Sequence, residues 1–121
     1  MMQQDVGAEE RVLCRLEDIP EGGSKGFPAP PGGLIGLFAI RQGGRVHVYV
    51  NACPHIGLPL DPLPDRFLDP RAQVILCSVH GARFRIEDGT CLSGPCLGKA
   101  LEAVPARILD GRVVVPAAAG L

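Results

Sequence analysis

Residues 34–50 read LIGLFAIRQGGRVHVYV. Two apolar runs, Leu34 to Arg41 and Val46 to Val50, flank Gln42-Gly43-Gly44-Arg45. Their β-branched and aromatic side chains favour strands, and a Gly pair accepts the positive φ values that two-residue hairpin turns demand. The stretch is therefore a β-hairpin, and the segments on either side of it follow similar rules.

Upstream, Arg11 to Leu16 (RVLCRL) sets Val12, Cys14 and Leu16 on one face at period two, as an edge strand packed on one side would. From Pro20 to Gly33 nine of fourteen residues are Gly or Pro, which predicts an exposed loop without a ladder. Downstream, Val74 to Leu76 and Ala82 to Ile86 are short strands, and Glu87-Asp88-Gly89-Thr90 offers a turn. Ala103 to Leu109 and Arg112 to Val115 are joined by Asp110-Gly111, again hairpin chemistry. No segment repeats its apolar residues at 3.6. Seven or eight short strands with turn signals every 8–12 residues predict an all-β fold, a sandwich or barrel.

Size and composition agree. A chain of 121 residues has room for one domain, 1–121. Gly 16 and Pro 12 exclude a helical bundle. Four Phe, one Tyr and no Trp leave a core of Val, Leu, Ile and Ala that needs a staple. A formal charge of −1 provides no field for a nucleic-acid partner, which is read as absent. Met1 to Val12 has no apolar signal region, and the longest apolar runs, Leu34 to Ile40 and Val113 to Leu121, are too short for a membrane span. The expected location is the cytoplasm, where thiols stay reduced and neighbouring Cys and His bind metal more often than they form disulfides.

Two segments carry such residues: Cys53-Pro54-His55, and Cys77-Ser78-Val79-His80-Gly81, with 21 residues between them. Each brings one thiol and one imidazole, and two loops at the end of a sheet can bring all four together. Three readings compete. The residues are packing cysteines with incidental histidines, or a structural zinc site, or the ligands of a binuclear iron cluster. Zinc fingers usually pair like ligands within a segment, whereas mixed segments suit a cluster with two thiolates on one iron and two imidazoles on the other.

The pattern C-x-H followed by C-x-x-H-G resembles the ligand signature of the Rieske 2Fe-2S proteins. The similarity continues through Gly81-Ala82-Arg83-Phe84 and Ile86 to Pro95 (IEDGTCLSGP), then Leu101 to Pro105 and Asp110 to Val113. It covers Arg11 to Pro116. The resemblance implies an antiparallel β-sandwich base with a smaller cluster-binding part at about 51–97. There Cys53 and Cys77 would hold the inner iron, His55 and His80 the outer one, and Gly94-Pro95 would cover the 2Fe-2S cluster from a third side. His47 falls in no motif and is expected to be a surface or hydrogen-bonded strand residue. The gap between the segments is a few residues longer than is usual in Rieske ferredoxins, the excess being Asp61 to Arg66; insertions in exposed loops cost little.

Rieske proteins of quinol-oxidising complexes have a Ser and a Tyr donating hydrogen bonds to the cluster, at positions matched here by Ala82 and Phe84. They also have a disulfide at positions matched by Leu58 and Val79. Neither feature is present, so the resemblance implies the soluble, low-potential ferredoxin type. Such a protein passes single electrons from a reductase to a terminal oxygenase or similar enzyme and has no catalytic site of its own. With the cluster filled, only His47 remains, too few histidines for an oxygenase's catalytic iron. Two alternatives stay open: a redox subunit of a larger oxidoreductase, like nitrite reductase small subunits, and a structural zinc module. Cys14 is expected to be a buried strand residue, and a Cys91–Cys96 disulfide is disfavoured in a reducing compartment.

Overall fold

A computed structural model describes residues 9–29, 35–52, 54, 67–69, 74–77 and 81–119. Among them the fold is all-β, with eleven strands in three antiparallel sheets and a single 3₁₀ turn at Leu16–Asp18. The base sheet contains β1 (Glu10–Arg15), β11 (Arg112–Pro116) and β10 (Arg107–Leu109), in that order. A central sheet orders β2 (Ser24–Pro28), β3 (Gly36–Gln42), β4 (Arg45–Val50) and β9 (Ala103–Val104). A third orders β5 (Leu68–Asp69), β6 (Val74–Cys77), β7 (Ala82–Phe84) and β8 (Cys91–Ser93). No helix among the described residues is long and apolar enough to cross a membrane.

The predicted hairpin is the spine of this arrangement. Gln42 pairs with Arg45 across Gly43-Gly44, and Gly43 takes φ +61°. Side chains on β3 and β4 alternate between two cores. Leu37, Ala39 and Val48 pack with Val113 and Val115 to close a sandwich with the base sheet. Phe38, Ile40 and Tyr49 face the other way, onto Phe67 and onto Ile75, Cys77 and Phe84 of the third sheet. Both faces of the central sheet are thus covered.

The aromatic residues are few but gathered. Phe38 stacks on Phe67 at 4.5 Å between centroids, and Tyr49 lies 5.7 Å from Phe38. The Tyr49 hydroxyl donates to the Ile86 carbonyl at 2.6 Å, which satisfies a polar atom that burial would otherwise penalise. Four of the five aromatics sit in this one core, so the third sheet is held by them rather than by the aliphatics of the base.

Four expectations change. The Gly/Pro-rich stretch is not all loop, because Ser24–Pro28 pairs with Gly36–Ile40 as an edge strand. The open edge of β3 supplies partners for its backbone groups, Phe27 packs on the base core, and Pro28 is tolerated at the end of an edge strand. A side chain at Gly36, opposite Pro28, would meet the Phe27 carbonyl at 2.6 Å, so that position requires glycine. In β1 a bulge between Val12 and Cys14 breaks the expected alternation: Val12 is exposed, while Leu13 and Cys14 are both half-buried. Ala103 to Leu109 is two strands, not one. Pro105, which has no N–H for a ladder, ends β9 on the central sheet, and the chain crosses to the base as β10. Finally, the strands exceed eight because β2 and the short pieces β5, β8 and β9 escape a reading based on periodicity.

Candidate metal centre

Cys77 ends β6 and is fully buried, on the same core-facing side as Ile75. It pairs with Ala82 of β7, and the Gly81 N–H closes the connection by donating to the Cys77 carbonyl at 2.9 Å. Gly81 has φ +71°, a conformation that a side chain would resist. Cys77 and Ala82 are thus paired at the end of the β6–β7 hairpin.

A second connection leaves the central sheet nearby in sequence to the first ligand segment. The Asn51 N–H still donates to the Gly36 carbonyl at 3.0 Å, but the Ala52 N–H turns back to the Val50 carbonyl at 2.9 Å. The latter is the bond of a three-residue turn, and it bends the chain off the sheet just before Cys53. Pro54 is half-buried.

The third contributor comes from β8. Arg83 pairs with Ser93, so the next residue, Gly94, arrives beside Ala82. The approach is close: a Cβ on Gly94 would stand 2.8 Å from the Ala82 Cα, and Gly94 has φ +99°. Only glycine brings the two backbones together this way. Beyond it Lys99 donates to the Cys96 carbonyl at 2.8 Å and Cys91 donates to the Lys99 carbonyl at 3.0 Å, folding Gly94-Pro95 over as a loop. Ala82 thus lies between the end of the Cys77 strand and the Gly94-Pro95 loop.

Of the four predicted ligands, Cys77 is placed at this hairpin end; Cys53, His55 and His80 lie outside the described residues, as do Leu58 and Val79. Ala82 and Phe84 are buried, and neither has a hydroxyl to donate. His47 sits on β4, and its Nε2 is 3.0 Å from the Gln42 Oε1, so it is the hydrogen-bonded strand histidine expected. Cys91 is a thiol whose Sγ donates to the Ser93 carbonyl at 3.3 Å. Cys14 is half-buried, and burial together with Asp18 pushes its thiol up to about 11, Lys25 pulling the other way.

A two-iron cluster with two thiolates and two imidazoles requires that donor set on short, fixed loops. Cys77, the one predicted ligand among the described residues, suits such a site: it is buried at a hairpin end, and a glycine permits a third loop to close on the same hairpin. Among the described residues no three His, Cys, Asp or Glu side chains converge as a separate metal site. The Gly94–Ala82 approach was not legible beforehand. Its only signal was the Gly-Pro pair itself.

Residues 9–112 match the family model described as the Rieske [2Fe-2S] domain. No curated protein matches the chain. Solved structures with the same fold include the ferredoxin of carbazole 1,9a-dioxygenase from Nocardioides aromaticivorans IC177, at 20% identity and TM-score 0.72, covering 90% of this chain and 98% of that one. A chain in the complex of reduced oxygenase and oxidized ferredoxin in carbazole 1,9a-dioxygenase matches at 23% identity and TM-score 0.72, covering 92% and 95%. The Sphingomonas yanoikuyae B1 ferredoxin matches at 24% identity and TM-score 0.67, covering 88% and 97%.

Proposed function

Since this chain belongs to the Rieske [2Fe-2S] domain family, we propose that it is a one-electron carrier, a ferredoxin that accepts electrons from a reductase and delivers them to a terminal oxygenase or a similar enzyme. The observation that carries the reading is the family match over residues 9–112. Two similar structures are ferredoxins that the chain spans almost end to end, and one neighbour comes from a complex of a ferredoxin with its oxygenase, which supports the choice of partner. Residues 1–121 form one domain, with the cluster-binding part at about 51–97. The protein works in the cytoplasm.

Cys53 and Cys77 hold one iron, and His55 and His80 the other. The bound cluster supplies reversible one-electron chemistry, at a potential raised by neutral imidazoles in place of two thiolates. The protein's part is to fix the ligand loops, shield them with Gly94-Pro95, and limit hydrogen bonding to the sulfurs. Ala82 and Phe84 donate no side-chain hydrogen bond there, which supports a potential in the lower part of the range of about −150 to +300 mV.

Visible and electron paramagnetic resonance spectra of purified protein, with metal analysis, test the reading. A red-brown protein with about two irons per chain is expected. A colourless protein with one zinc and no iron overturns it.

A further inference from the structure

Of the aspartyl pairs, Asp-Gly rearranges most readily, because glycine leaves its main-chain nitrogen open to the carboxyl one residue before it. The chain has two, Asp88-Gly89 and Asp110-Gly111, both in turns. The fold treats them in opposite ways.

Asp88-Gly89 is pinned. The Gly89 N–H donates to the Arg85 carbonyl at 2.8 Å, and the Gly89 carbonyl accepts from the Leu101 N–H at 2.9 Å. The Asp88 Oδ1 accepts from the Thr90 N–H at 2.9 Å, and its Oδ2 from the Arg85 guanidinium at 3.2 Å. These bonds, Thr90 first, hold the carboxyl below its ordinary value, and an ionised carboxylate is a poor electrophile. Gly89 is also buried, so close to the Tyr49 ring that a Cβ would stand 2.8 Å from it.

Asp110-Gly111 is exposed. Among the described residues the Asp110 carboxylate has no partner, and neither the Asp110 carbonyl nor the Gly111 N–H enters a hydrogen bond. The Gly111 carbonyl accepts from the Leu16 N–H at 2.8 Å, but that bond fixes the following peptide unit. The plane between Asp110 and Gly111 is therefore free to turn. Its starting geometry is favourable. With φ +52° at Asp110 and +74° at Gly111, the pair is a type I′ turn joining Leu109 to Arg112, and Asp110 is the one non-glycine residue with positive φ among those described. Turning the plane gives a type II′ turn, which keeps φ at about +60° and sets ψ at about −120° on its first central residue. There the Gly111 nitrogen eclipses the Asp110 Cβ, as a five-membered ring through Cγ requires, and hairpins accept both turns.

We propose that Asp110 is a spontaneous modification site, isomerising to isoaspartate in the folded chain while Asp88 is preserved. The Gly111 nitrogen attacks Cγ of the protonated Asp110 carboxyl. An N–Cγ bond forms, and the proton from nitrogen leaves with the carboxyl hydroxyl as one water. A second water then adds to the Asp110 main-chain carbonyl of the ring and breaks its bond to nitrogen. The chain now runs through Cβ and Cγ, and the former carbonyl is a free carboxylate. No oxidant or cofactor enters, and mass and charge are unchanged. The turn between β10 and β11 gains one main-chain atom, at the point where the Leu109–Arg112 pairing and the Leu16–Gly111 bond close the base sheet.

The purified full chain, kept at neutral pH and physiological temperature in water enriched in heavy oxygen, is sampled over weeks and digested with trypsin. Cleavage after Arg107 and Arg112 isolates Asp110 in one peptide, and cleavage after Arg85 and Lys99 isolates Asp88 in another. Isoaspartate in each is read by methyl transfer from S-adenosylmethionine with an isoaspartyl carboxyl methyltransferase. A parallel sample in guanidinium gives the rates without the fold. Relative to that sample, folding should favour Asp110 over Asp88 by about tenfold or more, the factor that one hydrogen bond to a charged carboxylate supplies. The converted Asp110 peptide should carry heavy oxygen from the second water. A folded ratio equal to the unfolded one overturns the proposal, as does an Asp110 that stays unconverted in the folded chain while both sites convert in guanidinium.

Discussion

Replacing Gly94 by alanine tests whether the third loop is truly seated on the ligand hairpin. The new Cβ would stand 2.8 Å from the Ala82 Cα and 3.3 Å from its Cβ and N, and the residue would keep φ +99°. Holding a non-glycine residue in such a backbone conformation costs about 1–3 kcal/mol. The collision is with backbone, which cannot swing aside as a flexible side chain could, and overpacking of this kind costs about 1–3 kcal/mol more. Gly98 in the same loop separates the two contributions. Its φ is +90°, yet a Cβ there would meet nothing within 4 Å, so Gly98→Ala carries the dihedral cost alone. Guanidinium unfolding of the cluster-loaded protein, followed by circular dichroism, should therefore find Gly94→Ala less stable than Gly98→Ala by about 1–3 kcal/mol. Bleaching of the visible cluster band should come earlier in the same variant. Equal losses in the two variants would refute the packing of the loop on Ala82.

Tyr49→Phe removes the donor that satisfies the buried Ile86 carbonyl and should cost about 1–3 kcal/mol in the same unfolding assay; a neutral result would mean that water reaches that carbonyl. Cys14, with its thiol at about 11 in place of 9.0, should react with iodoacetamide at pH 8 about a hundredfold more slowly than an unperturbed thiol, as read by mass spectrometry of the alkylated peptide. The thiol of Cys14 and the hydroxyl of Tyr49, the latter pushed up by burial from 10.0 to about 12, are both harder to ionise folded than unfolded. Each contribution to stability is complete below the unfolded value and fades as pH rises through the folded one, so unfolding midpoints should decline between about pH 9 and 12. Electrochemistry should place the reduction midpoint below about +150 mV, with a value that falls as alkaline pH removes protons from the imidazole ligands; a flat profile through about pH 10 would argue against histidine ligation.

Local chemistry made some parts of this molecule readable from its sequence. The turns at Gly43-Gly44 and Asp110-Gly111 were legible because positive φ is a property of the residues themselves, and the structure has +61° at Gly43, +52° at Asp110 and +74° at Gly111. The motif around Cys77 was legible as spacing within one short segment, and the Gly94-Pro95 loop only through the resemblance to the Rieske proteins. What escaped depends on a partner elsewhere in the chain. Ser24–Pro28 is a strand only because the edge of β3 lies open beside it. The outward face of Val12 follows from a bulge against β11, and the approach of Gly94 to Ala82 from the register of β7 on β8. The gathering of Phe38, Tyr49, Phe67 and Phe84 into one core is likewise invisible in composition, which reports only that aromatics are scarce.

Over Leu37 to Ile40 the central strand β3 has no polar face, and this changes what fixes its alignment. In a half-exposed strand a slip of one residue would send apolar groups into water and be rejected for that reason. In β3 the slip would exchange Phe38 and Ile40 with Leu37 and Ala39, one set of apolar groups for another. Register here is enforced by volume: the side toward Cys77 takes the ring of Phe38, and the base takes the methyl of Ala39. An insertion at Gly43-Gly44 would leave solubility and strand content largely intact while jamming one core and hollowing the other. The damage would surface as loose packing under the ligand loops rather than as an unfolded chain.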